Sequence, residues 1–518
     1  MMNNIQILWA DDEIEMLKSH LLFLKEKGYE VMPVTNAHDA IDAVKEKHFD
    51  VVFLDENMPG LSGLEALPQI KAIHPQMPVV MITKSEEENI MEDAIGQQIA
   101  DYLIKPVKPN QILLCLKKLI DNKRLVSEKT SSNFRQEFQQ MMMALSNAND
   151  AQEWAEAYKK IIFWELELDK NDSKEMQEVL AMQKSDANNE FAKFVSKNYL
   201  NWINKPNDST PTLSHRSMVR NVLPYLSQSQ PTYLIVIDNL RFDQWKMIQP
   251  LWSEFTKLVD EDLYFSILPT ATQYARNAIF SGLMPSEIAR RYPDYWRDEQ
   301  DEGSKNMFEE QLLGELLKRN NLNIKYSYTK VLHNYEAKNL VDNILNLQHN
   351  QLNVIVYNFM DMLSHARTEM EVLKELASDE KAYRSLTYSW FEHSPLLEAL
   401  KKLEGKNAQI ILTTDHGCIR VSKPVKVVSD REATTNLRYK TGKAIQYNAK
   451  EVFEILKPED AKLPQQNLTS RYIFTKGDDY FVYANNFNQF ANFYRNTFQH
   501  GGLSMEEMMV PMIRMQTK

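Results

Sequence analysis

Apolar residues fall into three successive patterns along this chain. Between residues 5 and 105, four short runs rich in Ile, Val and Leu (5–10, 51–55, 79–83 and 102–105) read as strands buried on both faces. Leu17, Leu21, Leu22 and Leu24 follow the first run at helical spacing, so the first 120 residues predict a doubly wound parallel sheet with its strand ends at one crevice. From about 121 to 215 the chain is poor in glycine and rich in charge. Phe134, Phe138, Met141, Met142 and Leu145 make one helical stripe there. Trp154, Tyr158, Ile161, Ile162 and Glu165 make another after a break at 147–150, where Asp150 and Glu153 frame a helix start. The Met-rich stripe is packing surface, and turn chemistry at 204–211 closes this all-helical connector. Beyond it, the buried runs 233–238, 354–361 and 410–415 each end in aspartate, and 268–285 reads as a strand end, a turn and a helix.

A chain of 518 residues with 43% apolar content accommodates two to three globular domains, drawn here at 1–120, 121–215 and 216–518. No run of 18 apolar residues occurs and the start lacks a basic-then-apolar signal, so a cytoplasmic protein without a membrane span is expected. Two cysteines, Cys115 and Cys418, give no disulfide framework; Cys418 is expected as a small apolar filler, with a thiol near a metal as the alternative. The formal charge of −11 opposes general attraction to nucleic acid, and no basic recognition helix is appended at the end, so direct sequence-specific DNA binding is not expected. Locally, Arg420, Lys423, Lys426, Arg431, Arg438, Lys440 and Lys443, with Asp430 and Glu432 among them, form a basic run. It is either solvated surface or a face for a polyanionic substrate.

In the amino-terminal stretch, Asp11 and Asp12 follow the first strand, Asp55 ends the second with Asn57 and a Pro-Gly turn beyond, Thr83 ends the third, and Lys105-Pro106 the fourth. This set resembles a response-regulator receiver domain, flavodoxin-like in fold. The resemblance implies that a sensor histidine kinase phosphorylates Asp55, and that Mg²⁺ is held by Asp11, Asp12, Asp55 and the Asn57 carbonyl. It further implies that Thr83 and Lys105 hold the phosphoryl oxygens, that Tyr102 rotates as Thr83 moves, and that Lys105-Pro106 is cis.

The carboxyl-terminal half carries a different chemistry. Asp238, Asp361 and Asp415 lie at strand ends, His416 follows Asp415, His365 is one helical turn beyond Asp361, and His500 opens a Gly-Gly hinge, a set suited to a shared cation. Thr272 at a helix start is either an N-cap or, at an anion-attracting terminus, a nucleophile; Arg276 and Asn277 one turn on could hold a phosphate oxygen. The order Asp, Pro-Thr-x-Thr, Asp-x-x-x-His, Thr-x-Asp-His-Gly, His-Gly-Gly over about 230 to 513 resembles the alkaline-phosphatase superfamily, and within it the PglZ type. The resemblance implies an α/β domain with two Zn²⁺, Mn²⁺ being the alternative. One ion would be bound by Asp238, Thr272, Asp415 and His416, the other by Asp361, His365 and His500. Thr272 would attack phosphorus and water would then release the covalent intermediate. Monoester and diester hydrolysis both remain open. Pro269-Thr-Ala-Thr272 looks like the nucleotide phosphodiesterase version, but residues 273–277 depart from it. The reading leans to phosphodiesters, an oligonucleotide or cyclic nucleotide among them, ahead of monoesters or sulfate esters.

Receiver, helical connector and PglZ-type domain in this order resemble the PorX-like response regulators. That implies a role in type IX secretion and gliding, and dimerisation on phosphorylation. A sigma factor or secretion component would be the partner. The alternative is a phosphorylation-controlled scaffold that binds such a partner without catalysis and keeps zinc only for stability.

Overall fold

The computed structural model describes residues 5–75, 77–84, 99–170, 174–358, 360–361, 377, 379–429, 434–465, 467 and 469–518, without the side chains of 120–129 and 131. The chain forms two compact units, Met1–Phe134 and Arg135–Lys518. No helix among the described residues is long and apolar enough to cross a membrane.

In the first unit, β1 (Ile5–Ala10), β2 (Tyr29–Val34), β3 (Val51–Asp55), β4 (Val79–Thr83) and β5 (Asp101–Ile104) form a parallel sheet in the order β2-β1-β3-β4-β5. This is the doubly wound, flavodoxin-like order, whose switch point lies between β1 and β3. Alternate residues feed two cores. Leu8, Val52 and Leu54 pack on one face, and Ile7, Trp9, Phe53, Val80 and Ile82 on the other. The edge strand β2 has no counterpart in the apolar runs, because Pro33 interrupts it and it is only partly buried. Leu17, Leu21 and Leu24 pack inward as their spacing predicts, whereas Leu22 points to solvent. The Lys105–Pro106 peptide is cis, as expected, and so is Leu268–Pro269.

The connector helices begin before the boundary at Phe134–Arg135 and continue into the second unit. Asn122–Asn147 leads into Ala151–Lys170 and Lys174–Asn204. Asp150 Oδ1 accepts from the Glu153 amide at 2.9 Å and Glu153 Oε2 from the Asn149 amide at 2.7 Å, so the two acids cap the second helix. Trp154, Tyr158, Ile161 and Ile162 are buried as the stripe predicts, whereas Met142 is exposed, outside the stripe assigned to it. The connector shares a core with the α/β region, since Phe191 and Trp202 pack on Phe265 with ring centroids 6.0 and 5.7 Å away. It is therefore packed structure and not a free linker.

The principal sheet contains β6 (Thr232–Ile237), β7 (Thr256–Phe265), β8 (Tyr326–Val331), β9 (Leu352–Tyr357) and β10 (Gln409–Thr413). Smaller pairings follow: β11 (Ile419–Arg420), β12 (Lys423–Val427), β13 (Tyr439–Gly442), β14 (Val452–Ile455), β15 (Arg471–Thr475), β16 (Asp479–Tyr483) and β17 (Phe498–Gln499). The last strand, β18 (Met509–Thr517), returns to the principal sheet, whose order is β7-β18-β10-β6-β9-β8. β10, β6, β9 and β8 are parallel, and β18 is antiparallel to β10 and β7. The chain enters the parallel part at β6 and later adds β9 on one side and β10 on the other. The carboxyl ends of these three strands therefore share the crevice where such sheets bind ligands.

Candidate functional site

Asp238 directly follows β6, Asp361 lies four residues beyond β9, and Asp415 two beyond β10. Ligand atoms of Asp238, Asp415 and the adjacent His416 lie within 4.8 Å of one another, and all three side chains are buried. Thr272 is the first residue of the helix Thr272–Ser281. Ala271 holds the capping position and makes no side-chain cap, so the N-cap role does not fall to Thr272. Its Oγ1 lies instead 3.1 Å from His416 Nε2 and 3.4 Å from Asp238 Oδ1.

Backbone carbonyls fix the imidazoles. His416 Nδ1 donates to the Gly417 carbonyl at 3.1 Å and His500 Nδ1 to the Thr270 carbonyl at 3.2 Å, which leaves Nε2 of each ring as the lone-pair atom. The rings stack with centroids 4.2 Å apart, and His500 Nε2 is 3.5 Å from Asp361 Oδ1. The structure thus brings Asp238, Thr272, Asp361, Asp415, His416 and His500 together. His365 lies outside the described residues.

Burial, and then the facing Asp415, push the Asp238 carboxyl far above the ordinary carboxylate range against the pull of Arg276. Burial raises Asp415 in the same way, and burial lowers His416. Asp415 Oδ2 finds no hydrogen-bond donor among the described residues, its nearest positive group being Arg276 at 3.9 Å. Mutually repelling carboxylates and imidazoles turned lone-pair inward make a donor set that fits a divalent cation.

Arg276 does not reach outward for a phosphate. It is buried, with Nη1 2.7 Å from Asp238 Oδ2 and 3.2 Å from Asn358 Oδ1, and Nε paired with Glu309. Asn277 spends its amide donors on the carbonyls of Gln273 (2.9 Å) and Lys305 (3.1 Å). The expectation that either residue holds a phosphate oxygen is not met by this arrangement; Arg276 supports the site acids from beneath. The basic run also needs correction. Arg438 and Lys440 are buried, Lys423 pairs with Asp478 at 3.1 Å, and Arg431 lies outside the described residues.

Three supporting residues escaped the sequence reading. Thr270 Oγ1 donates to the Gly502 carbonyl at 2.8 Å and accepts from the Gly501 amide at 3.1 Å, while its own carbonyl orients His500. Glu507 accepts from the Gly502 amide at 2.9 Å and pairs with the Arg438 guanidinium. A Cβ on Gly502 would lie 2.9 Å from that guanidinium, and Gly501 has φ +118°, so the His500-Gly-Gly hinge requires both glycines. Thr270 stands in the Pro-Thr-x-Thr motif, but Glu507 and Arg438 carried only the signal of surface charge.

In the first unit, Lys105 Nζ lies 2.7 Å from Asp55 Oδ2 and 2.9 Å from Asp11 Oδ2. Asp11, Asp12 and Asp55 offer carboxylate oxygens within 4.8 Å, a set that fits Mg²⁺; Asp12 is exposed, as is Asn57. Burial raises the Asp55 carboxyl against the pull of Lys105. Thr83 donates to Glu56, a partner the sequence reading did not foresee, and Tyr102 on β5 is exposed. A Cβ on Gly63 would come 2.2 Å from the Asp55 carbonyl, so this glycine lets the following helix start directly behind the acceptor.

Residues 7–117 match the response regulator receiver domain, 124–203 the PorX response regulator linker domain, and 218–515 the BREX system PglZ alkaline phosphatase-like domain. Among curated proteins, the alginate biosynthesis transcriptional regulatory protein AlgB of Pseudomonas syringae pv. tomato is 33% identical over 123 residues, 24% of this chain and 28% of that protein. The transcriptional regulatory protein ZraR of Escherichia coli O157:H7 is 30% identical over 128 residues, 25% of this chain and 29% of that protein. The chain thus spans less than a third of the length of these relatives. A solved response regulator receiver domain protein from Clostridium thermocellum is 30% identical, covering 23% of this chain and 98% of that one, with a TM-score of 0.22.

Proposed function

Because the chain belongs to the PglZ alkaline phosphatase-like family, with a receiver domain and a PorX-type linker before it, we propose that it is a response regulator whose output domain hydrolyses phosphodiesters. The observation that carries this reading is the Thr272 hydroxyl, 3.1 Å from His416 Nε2 and 3.4 Å from Asp238 Oδ1, at the meeting point of three strand ends.

Thr272 is the nucleophile. Its proton leaves toward the acceptors that face it, and Oγ1 attacks phosphorus and displaces one alcohol of the diester, leaving a covalent bond from phosphorus to Thr272. Water then attacks that phosphorus, releases the second product as a monoester, and restores the hydroxyl. Asp238, Asp415 and His416 with Thr272 would hold one divalent cation, and Asp361, His365 and His500 a second. Zn²⁺ is the first choice and Mn²⁺ the alternative. When bound, such cations neutralise charge that builds on the entering and leaving oxygens. His416 and His500 keep their rings oriented through the Gly417 and Thr270 carbonyls, and Arg276 balances the buried acids. The substrate class is a nucleotide or oligonucleotide phosphodiester, cyclic forms included.

In the receiver, a sensor histidine kinase phosphorylates Asp55, with Mg²⁺ held by Asp11, Asp12, Asp55 and the Asn57 carbonyl. Thr83 and Lys105 then hold the phosphoryl oxygens, and Tyr102 turns with Thr83. The added charge, about −1.5 to −2, biases the receiver surface toward a dimer. A cytoplasmic role in type IX secretion, with a secretion component or sigma factor as partner, completes the reading.

The test is turnover of bis-p-nitrophenyl phosphate and of the monoester by zinc-loaded protein and by Thr272→Ala, with and without a phosphoryl donor. Diester turnover that is lost in the variant supports the reading. Zinc-loaded wild type that cleaves neither ester sinks it in favour of a non-catalytic scaffold.

A further inference from the structure

Arg241 and Arg384 lie outside the metal-site residues, yet buried ion pairs run from the connector through Arg384 to Arg241, which touches the backbone and a ring beside that site. On the connector side, Glu165 and Asp169 project from the helix Ala151–Lys170. Arg384 Nη1 meets Glu165 Oε1 at 3.0 Å and Arg384 Nη2 meets Asp169 Oδ2 at 2.6 Å. The same Nη1 is 3.0 Å from Asp243 Oδ2, and Asp243 in turn receives a two-pronged contact from Arg241, Nε–Oδ1 2.9 Å and Nη2–Oδ2 2.5 Å. Burial opposes a charge on Asp243, but Arg241 and then Arg384 hold its carboxyl well below the usual carboxylate range. Asp243 therefore stays ionised and links the two guanidinium groups.

Arg241 is placed to act on both histidine-bearing segments. It stands three residues after Asp238. Its Cγ lies 3.2 Å from where a Cβ on Gly417 would be, and its Nη1 donates to the Cys418 carbonyl at 3.5 Å. Its guanidinium also lies 5.3 Å from the ring centre of Phe498, two residues before His500. A second arm of the connector reaches the same turns. Lys184 Nζ bridges Glu165 (3.0 Å) and Glu506 (3.1 Å), and Asn188 donates to Glu506 at 3.0 Å. The Glu506 carbonyl would lie 2.1 Å from a Gly417 Cβ, and the Glu507 carbonyl accepts from the Gly417 amide at 3.1 Å. A cavity of about 440 Å³ lined by Glu165, Asp169, Lys184, Arg384 and Glu506 adjoins these ties.

We propose that Arg384 is a positioning residue for the metal centre: it couples the connector acids Glu165 and Asp169, through Asp243 and Arg241, to the turns that carry His416 and His500. The inference rests on the metal-centre reading above and adds the route by which the connector sets that centre's geometry. Supporting partners of metal ligands typically change affinity by about 10- to 100-fold when lost, and a loss of that size is expected here.

The experiment is a competition titration of zinc on full-length wild type, Arg384→Met, Arg384→Lys and Glu165→Gln, with kcat and KM for the diester measured alongside. The expected result is zinc binding weakened by about tenfold or more in Arg384→Met, in the same direction in Glu165→Gln, and partly restored in Arg384→Lys, with kcat falling while KM holds. A purely structural role would lower stability and leave zinc affinity unchanged. Zinc affinity within about twofold of wild type in both Arg384→Met and Glu165→Gln overturns the proposal. Should Arg384→Met not fold, Glu165→Gln, which alters only the connector side, decides. Wild type that binds zinc but cleaves no ester sinks the hydrolase reading while the zinc titration still judges this one; wild type that binds no zinc sinks both.

Discussion

Replacing Glu507 with glutamine preserves volume and removes one charge from an ion pair with no exposure on either side. The Glu507 carboxylate receives four donors: Arg438 Nε at 3.0 Å and the Gly502 amide at 2.9 Å on one oxygen, Arg438 Nη2 at 2.6 Å and Ser504 Oγ at 2.6 Å on the other. Glutamine offers a single acceptor oxygen, so its amide nitrogen must face one Arg438 donor together with either the Gly502 amide or Ser504 Oγ. The guanidinium is then left without its counter-charge in an enclosed site. Removing one partner of a buried pair costs about 3–5 kcal/mol, and because glutamine keeps part of the hydrogen bonding, a loss near about 3 kcal/mol is expected. Of the eight tryptophans only Trp9 lies in the first unit, so intrinsic tryptophan fluorescence in urea reports mainly the second. The amides of Gly501 and Gly502 should exchange faster as well, since the same carboxylate fixes the hinge beside His500. The double variant with Arg438→Met should regain part of the loss because the uncompensated charge is gone. A Glu507→Gln transition within about 1 kcal/mol of wild type, with unchanged exchange, would refute the reasoning.

Two further outcomes are expected. Thr270→Val keeps the side-chain shape but leaves the Gly501 amide and Gly502 carbonyl without their shared hydroxyl, at a cost of about 1–3 kcal/mol; zinc titration should show one of two sites weakened about tenfold, and two unchanged sites would count against the role given to Thr270. Lys440 is buried, its polar contacts among the described residues being the Thr434 carbonyl and the Tyr483 hydroxyl, and burial lowers its pKa from 10.5 to about 7. Between those values the unfolded chain holds a proton that the folded one lacks, so stability rises with pH across that window and the full penalty applies below it. Relative to Lys440→Met, wild type should therefore gain about 2 kcal/mol between pH 7 and pH 9 in urea unfolding, and parallel pH profiles for the two proteins would contradict the assignment.

The sequence by itself determined the strands and the chemistry at their ends. A run buried on both faces must be apolar throughout, so β1, β3, β4, β6, β9 and β10 stand out, and the acids that close them are the first residues free to be polar. Because the carboxyl ends of the parallel strands of one sheet meet at one crevice, Asp11 could be grouped with Asp55 in the first unit, and Asp238 with Asp415 in the second, before any contact was known. The edge strand β2 lacked that signature, being half exposed and carrying Pro33. Tertiary structure alone decided which way polar side chains face. Thr272 gives its hydroxyl to His416 and not to its own helix, and Arg276 turns inward to Asp238 and Glu309. Arg438 and Lys440 leave the apparent basic surface for the interior. A charged residue looks the same in sequence whether water or a buried counter-charge compensates it, and the partner is chosen by chain segments tens to hundreds of positions away. Glu165 and Arg384, 219 positions apart, form such a pair. Periodicity records burial of apolar groups, which is local and repetitive, whereas the pairing of buried charges depends on packing that no local pattern encodes.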